Sequence, residues 1–242
     1  MSLEINNLSV SVANKKILDK ISLSIKPGEI HVIMGPNGSG KSTLANALLG
    51  HPKYTVTGGK IMVDKKNVTK KSPNFRAKCG MFLSSQQAPE INGVTLSHFL
   101  RVASTSLTGT PANPFAFYEG LKKTMKKLGM DLAFASRYLN TGFSGGEKKR
   151  AEILQLLTLN PTYAILDETD AGLDVDALKI VGRGLAKFAG KDKAIIFITH
   201  GSRLIKFLKP DFVHVMIKGK LVRSGNKKLI AEIEKNGYNK FV

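Results

Sequence analysis

Leu3 to Val12 alternates apolar and polar residues, the two-residue period of a half-buried strand. Ile21 to Ile25 repeats that pattern and is followed by the turn residues Pro27 and Gly28. Glu29 to Met34 is a compact apolar strand that runs straight into a glycine-rich stretch, and Lys41 to Leu49 then reads as a helix. Thr57 to Val63 reads as a further strand begun at Gly58 and Gly59. Between Val94 and Tyr138 the strand signals vanish. Leu96, Phe99, Leu100 and Ala103 have helical spacing, as do Phe117, Leu121, Met125 and Leu128, with a loop at Thr108 to Pro114 between them. Strands then return at Tyr163 to Leu166 and Ala194 to Thr199, flanking a helix from Val175 to Phe188. Phe212 to Met216 and Lys220 to Arg223 predict a closing hairpin, with a last helix near Lys228 to Lys235. Strands alternating with helices predict an α/β fold with a parallel sheet covered by helices, here interrupted by a helical insertion.

Composition narrows the class. The chain has 242 residues, 42% hydrophobic and 23% charged, which describes an ordinary globular chain of one or two domains. No apolar run approaches the roughly 20 residues that span a bilayer, so a membrane role would need a partner. The start, Met1 to Ile5, carries an acid early and does not read as a signal peptide. The single cysteine, Cys79, cannot form an internal disulfide and cannot by itself hold an iron–sulfur cluster, which takes four ligands as a rule. Its plain reading is a partly buried thiol near a strand. The expected location is the cytoplasm, or an organelle stroma if a transit segment has been removed.

The net charge is +19. That invites a nucleic-acid reading, but the lysines are scattered in pairs, as at Lys122-Lys123 and Lys148-Lys149. They form no block of about five like charges and no aromatic stacking platform. The expectation is a solvated lysine-rich surface without specific nucleic-acid binding.

Gly35-Pro36-Asn37-Gly38-Ser39-Gly40-Lys41-Ser42, followed by Thr43, fits the P-loop pattern G-x-x-x-x-G-K-[ST] in its required strand–loop–helix context. Glycines let backbone N–H groups turn inward to phosphate oxygens, and the following helix aims its positive end at the same anion. Lys41 is expected on the β- and γ-phosphates and Ser42 on Mg²⁺. A decorative glycine turn would not need this context. Tyr163 to Leu166 ends in Asp167 and Glu168, which a buried strand would deliver to the carboxyl edge of the sheet. Asp167 is the candidate Mg²⁺ ligand through water, and Glu168 the candidate general base. Without the P-loop, this pair would read as two acids at a turn.

Phe143-Ser144-Gly145-Gly146-Glu147 comes about 20 residues before that acid pair, and with it the chain resembles the ATP-binding cassette (ABC) ATPases, whose signature is L-S-G-G-Q. The resemblance implies a P-loop ABC-ATPase fold: a mixed parallel core sheet, an antiparallel β subdomain and a helical subdomain. The corresponding boundaries are 1–93 with 139–242 for the catalytic core and β subdomain, and about 94–138 for the helical insertion. It also implies an enzyme hydrolysing ATP with Mg²⁺. Ser144, Gly145, Gly146 and Glu147 would face the γ-phosphate held by a second copy of the chain. Gln86 resembles the glutamine that touches Mg²⁺ and the attacking water, with Gln87 the rival. Asp170 to Asp174 resembles the loop that communicates across the dimer, and Asp174 would lie near the nucleotide. His200 resembles the switch histidine at the γ-phosphate. The family's aromatic adenine platform is missing, since no Phe, Tyr or Trp precedes Tyr54. Val12 or a neighbour would offer aliphatic contact, which predicts modest affinity and weak base selectivity.

Transporter subunits of the family commonly follow the acid pair with Pro-Thr-Ser-Ala-Leu-Asp. Here the run is Asp167-Glu168-Thr169-Asp170-Ala171-Gly172-Leu173-Asp174. With Gly50 to Gly59, Glu90 to Val94, Lys148-Lys149-Arg150, Lys209 to Val215 and Gly219 to Gly225, it is similar to the branch serving SUF-type iron–sulfur cluster assembly. That resemblance implies partners of the SufB and SufD scaffold type, dimerisation on ATP binding, and no direct membrane insertion. The alternatives are the nucleotide-binding subunit of a membrane transporter and, on charge alone, a DNA-associated ABC ATPase.

Overall fold

The computed structural model describes residues 1–86 and 88–241. Two compact units emerge from the chain's contacts. One comprises Met1–Gln86, Thr162–Thr169 and Ala189–Val242, the other Gln87–Pro161 and Asp170–Phe188.

The first unit holds two sheets. β1 (Leu3–Val12), β2 (Lys15–Ile25), β4 (Thr55–Val63) and β5 (Lys66–Asn67) form an antiparallel sheet in the order β2-β1-β4-β5. Leu3, Ile5, Leu8 and Val10 are fully buried, the inward set that the alternation predicts. β2 begins at Lys15, well before the apolar alternation at Ile21, because pairing with β1 carries it outward. Gly58 and Gly59 lie inside β4 rather than at its start. Gly59 sits at φ +81° where β1 and β4 change register, and a Cβ there would come within 2.3 Å of the Asn7 carbonyl oxygen.

The other sheet contains β3 (Ile30–Met34), β6 (Met81–Ser84), β9 (Tyr163–Asp167), β10 (Ala194–Ile198), β11 (Phe212–Ile217) and β12 (Lys220–Gly225). Its order is β12-β11-β3-β10-β9-β6, parallel except for the β11–β12 hairpin. All five residues of β9 and of β10 are buried, as expected of central parallel strands. α1 (Lys41–Leu49) joins Leu44 and Leu48 to a core cluster that includes Ile5, Ile33, Ile165 and Ile196. α2 (Pro73–Lys78) and α7 (Lys228–Asn236) complete this unit.

The second unit is mainly helical: α3 (Leu96–Thr108), α4 (Pro114–Lys127), α5 (Gly145–Leu159) and α6 (Val175–Phe188), with the short pair β7 (Ile91–Thr95) and β8 (Tyr138–Leu139). Thr95 and Asn113 cap α3 and α4 through their side-chain oxygens, and Pro114 occupies the first turn of α4. α5 packs on α3, α4 and α6. At Gly184 of α6 a Cβ would lie 2.8 Å from Ile153 of α5, so this glycine permits close helix approach. The helical unit therefore extends beyond the expected 94–138 insertion: α5 and α6 belong to it by packing, which local periodicity does not reveal.

Candidate nucleotide site

The first unit builds a phosphate cradle from β3 and α1. β3 passes into the loop at Gly35, where a Cβ would sit 2.1 Å from the Met216 carbonyl oxygen of β11, so only glycine fits. Gly40, at φ +104°, turns the chain into α1. No side chain caps α1 and its first turn holds no acid, so the helix start is open to an outside anion. The buried Lys41 ammonium donates to the Gly35 oxygen at 2.8 Å and the Pro36 oxygen at 3.0 Å. Burial lowers its pKa, while Glu168 and Asp167 pull it upward. Ser39 Oγ is buried in the loop without a hydrogen bond from the described residues.

β9 ends at the buried Asp167, opposite Ile198 of β10. Glu168 follows at φ +50°, a left-handed conformation held by its N–H bond to the Ile198 oxygen. That local strain is the kind a surrounding sheet can hold at a functional position. The Glu168 carboxylate lies between two groups. Gln86 Nε2 donates to its Oε2 at 2.7 Å, and His200 Nδ1 stands 3.4 Å from its Oε1. Gln86, Glu168 and His200 thus come together although 114 positions separate the first from the last. Gln87 lies outside the described residues.

A cavity of about 390 Å³ unites Asn37 to Thr43 with Gln86, Glu168 and Ile17. Its size suits a small ligand. Ile17 of β2 supplies the aliphatic side chain among this cavity's lining residues. The position is fixed from the far side, since Gly219 donates to the Ser39 oxygen and accepts from Asp19, and a Cβ on Gly219 would meet the Ile17 oxygen at 1.9 Å. Gly219 at φ +77° is a hairpin turn residue, and only that turn character was readable from the sequence.

Ser144, Gly145, Gly146 and Glu147 belong to the second unit, at the start of α5. Ser144 Oγ accepts from the Glu147 N–H, and Glu147 Oε2 accepts from the Ser144 N–H at 2.7 Å, a reciprocal capping box. Hydrogen bonds from Ser144 hold the Glu147 carboxyl below its ordinary pKa. A Cβ would meet nothing at Gly145 and only ordinary contact at Gly146, so the described chain does not itself demand glycine at either position. Asp174 has a local task as well, accepting from the Ala177 N–H at 2.7 Å at the start of α6.

The hard oxygen donors of Ser42 and Asp167 fit Mg²⁺ chemistry. Among the described residues no cluster of three or more His, Cys, Asp or Glu forms a dedicated metal cage. A few protein oxygens supplemented by substrate phosphate is the usual Mg²⁺ arrangement.

The family model described as ABC transporter matches residues 18–171. The probable ATP-dependent transporter ycf16 of Cyanophora paradoxa is 47% identical over 241 residues, covering 98% of this chain and 93% of that protein. A probable ABC transporter ATP-binding protein of Streptococcus pyogenes serotype M3 is 48% identical over 238 residues, with 98% and 93% covered. The post-hydrolysis dimer of the ATP-binding cassette MJ0796 bound to ADP and Pi shares the fold, at TM-score 0.80, 21% identity, and coverage of 93% and 98%. The chain belongs to the ABC transporter ATP-binding cassette family. It is an ATPase, with ATP as its nucleotide and Mg²⁺ as the usual cofactor.

Proposed function

We propose that this chain is a SufC-type ATPase, which couples ATP-driven dimerisation to iron–sulfur cluster assembly on a scaffold of the SufB and SufD type. The run Asp167 to Asp174, which departs from the usual transporter sequence after the acid pair, carries this reading. The lone Cys79 is compatible with clusters residing on a partner. Among the described residues no helix is long and apolar enough to cross a membrane. Cytoplasm or an organelle stroma is the proposed location.

In this mechanism the loop from Gly35 and the open start of α1, through Thr43, bind the phosphates, with Lys41 on the β- and γ-groups. Mg²⁺, held by Ser42, Asp167 and Gln86 with phosphate oxygens, would neutralise the charge on the phosphates. Glu168 accepts a proton from water as the water oxygen bonds to the γ-phosphorus, and the bond from that phosphorus to the ADP oxygen breaks. Gln86 and His200 orient the Glu168 carboxylate, and His200 also contacts the γ-phosphate. A second copy completes the site with Ser144, Gly145, Gly146 and Glu147, and Asp174 lies at the edge of that interface. The open space around the two glycines supports an approach from outside the chain.

Affinity capture with native partners, followed by protein identification, tests the biological role. Scaffold subunits are the expected catch, and a membrane permease without any scaffold subunit would overturn it. The second reading, a transporter nucleotide-binding subunit, is favoured by the names of both relatives, each a probable transporter protein. Either reading uses the same hydrolytic residues.

A further inference from the structure

A second cavity in the first unit, of about 660 Å³, has no part in the hydrolytic chemistry. Its walls come from the segment after His200 and from α7. Ile205 and Leu208 are buried in its floor, and Ile230 and Ala231 continue the apolar surface along α7. Four exposed lysines stand around it: Lys206 and Lys209 on one wall, Lys227 and Lys228 on the other. None of the four has a carboxylate partner among the ion pairs of the described residues. The two lining acids are already engaged. Asp211 accepts from the Ile30 N–H at 2.8 Å, and Glu234 accepts from the Ser202 hydroxyl. The first turn of α7 contains no acid.

We propose that this cavity docks an acidic, partly apolar peptide segment of a partner protein. Apolar side chains would enter the floor while carboxylates meet lysines on both walls. Charge complementarity selects the sign of the occupant, and the recessed floor selects a peptide over a lipid surface. A membrane-bound face pushes large apolar side chains outward into the interface. Here Ile205 and Leu208 are buried, and none of the cavity's apolar side chains is among the large hydrophobics exposed on the chain. The site is independent of the reading given for the nucleotide cavity, and its test uses no ATP.

The probe is a fluorescently labelled short peptide of alternating glutamate and leucine, followed by anisotropy at physiological salt. Its counterpart with glutamine for glutamate tests charge, and vesicles of phosphatidylserine with phosphatidylcholine test a membrane occupant. Lys209→Glu combined with Lys227→Glu should weaken peptide binding at least about tenfold. Ala231→Trp, which fills the cavity from an exposed position, should do the same while folding normally by circular dichroism. Lys123→Glu with Lys126→Glu, an equal charge change on exposed positions of α4, should alter binding less than about twofold. Equal weakening by that control pair would overturn the proposal, as would undiminished binding to Ala231→Trp. Absence of peptide binding, equal affinity for the glutamine counterpart, or capture by the vesicles alone would overturn it too.

Discussion

Two helices of this chain start at glycine-rich sequence, and they start in opposite ways. α1 is entered through the left-handed Gly40, with no side-chain cap and no acid in its first turn. α5 is entered through Ser144, and Glu147 closes the capping box over the same kind of backbone donors. A helix start with donors left open is prepared for an anion supplied from outside. A helix start closed by a capping box has two of its donors, the Ser144 and Glu147 N–H groups, held by its own side chains, and only those two must be released before they can serve another anion. The difference separates a phosphate cradle that one chain supplies from a signature segment whose outer donors are partly held by its own side chains.

The largest effect belongs to the chemistry of the cavity that the first helix opens into. Glu168→Gln should reduce ATP turnover by about 10²- to 10⁴-fold, the range for loss of general-base catalysis. ATP binding should persist, and ATP should hold a dimer visible by ultracentrifugation. Hydrolysis at the wild-type rate would remove Glu168 from the role of base. Next comes the cradle itself. Lys41→Ala should weaken ATP binding on the order of 100-fold, about 3 kcal/mol, because charged hydrogen bonds to phosphate vanish. Unchanged affinity in calorimetry would mean that the open start of α1 needs no ammonium.

The two units should also part in acid. Between β3 and the adjacent β11, His31 Nδ1 lies 3.0 Å from His214 Nε2, and Glu29 and Ser224 meet the outer nitrogens of this buried pair. Burial, and then the neighbouring His31, push the His214 pKa down to about 4. The unfolded chain therefore takes up this proton at higher pH than the folded chain. Stability should fall as pH drops from about 6.5 toward 4, with a loss up to about 3 kcal/mol from this group. Urea unfolding across that window measures it. His214→Gln should flatten the slope, and an unchanged slope would reassign the acid sensitivity.

The open helix start was legible in the sequence because every part of it is local. Glycine spacing, an apolar strand before it and helical periodicity after it lie within about 20 residues. The bounds of α6, Val175 to Phe188, were legible for the same reason. Features made by distant chain were not. β6 spans only Met81–Ser84, too short to show a period, yet it pairs with β9 and leads to Gln86. Arg76 is hidden inside a polar stretch, but its guanidinium is buried and donates to the carbonyls of Ala47 and Leu48 at the end of α1. Ile17 at the cavity depends on how the β11–β12 turn presses on β2. The capping box at α5 could have been anticipated, since Ser144 and Glu147 have the S-x-x-E spacing that closes one.

The smallest effects lie at the closed helix start, and they discriminate best between the two kinds. Ser144→Ala removes an N-cap and should cost about 1 kcal/mol of stability. Glu147→Gln should cost less, about 0.5 kcal/mol near neutral pH, because an amide oxygen can still accept from the Ser144 N–H. Hydrogen bonding lowers the folded-state pKa of Glu147, so its contribution is present above the ordinary carboxylate pKa and fades as pH falls through the lowered value. The stability difference between wild type and Glu147→Gln should accordingly close in acid. The consequence for function runs the other way. If a second copy's γ-phosphate must displace the Glu147 carboxylate, removing that charge should strengthen ATP-driven dimerisation by a few-fold, against the loss in monomer stability. Sedimentation of the Glu168→Gln background with and without Glu147→Gln reads this directly. Weaker association in the double variant would mean that Glu147 assists the phosphate rather than competing with it.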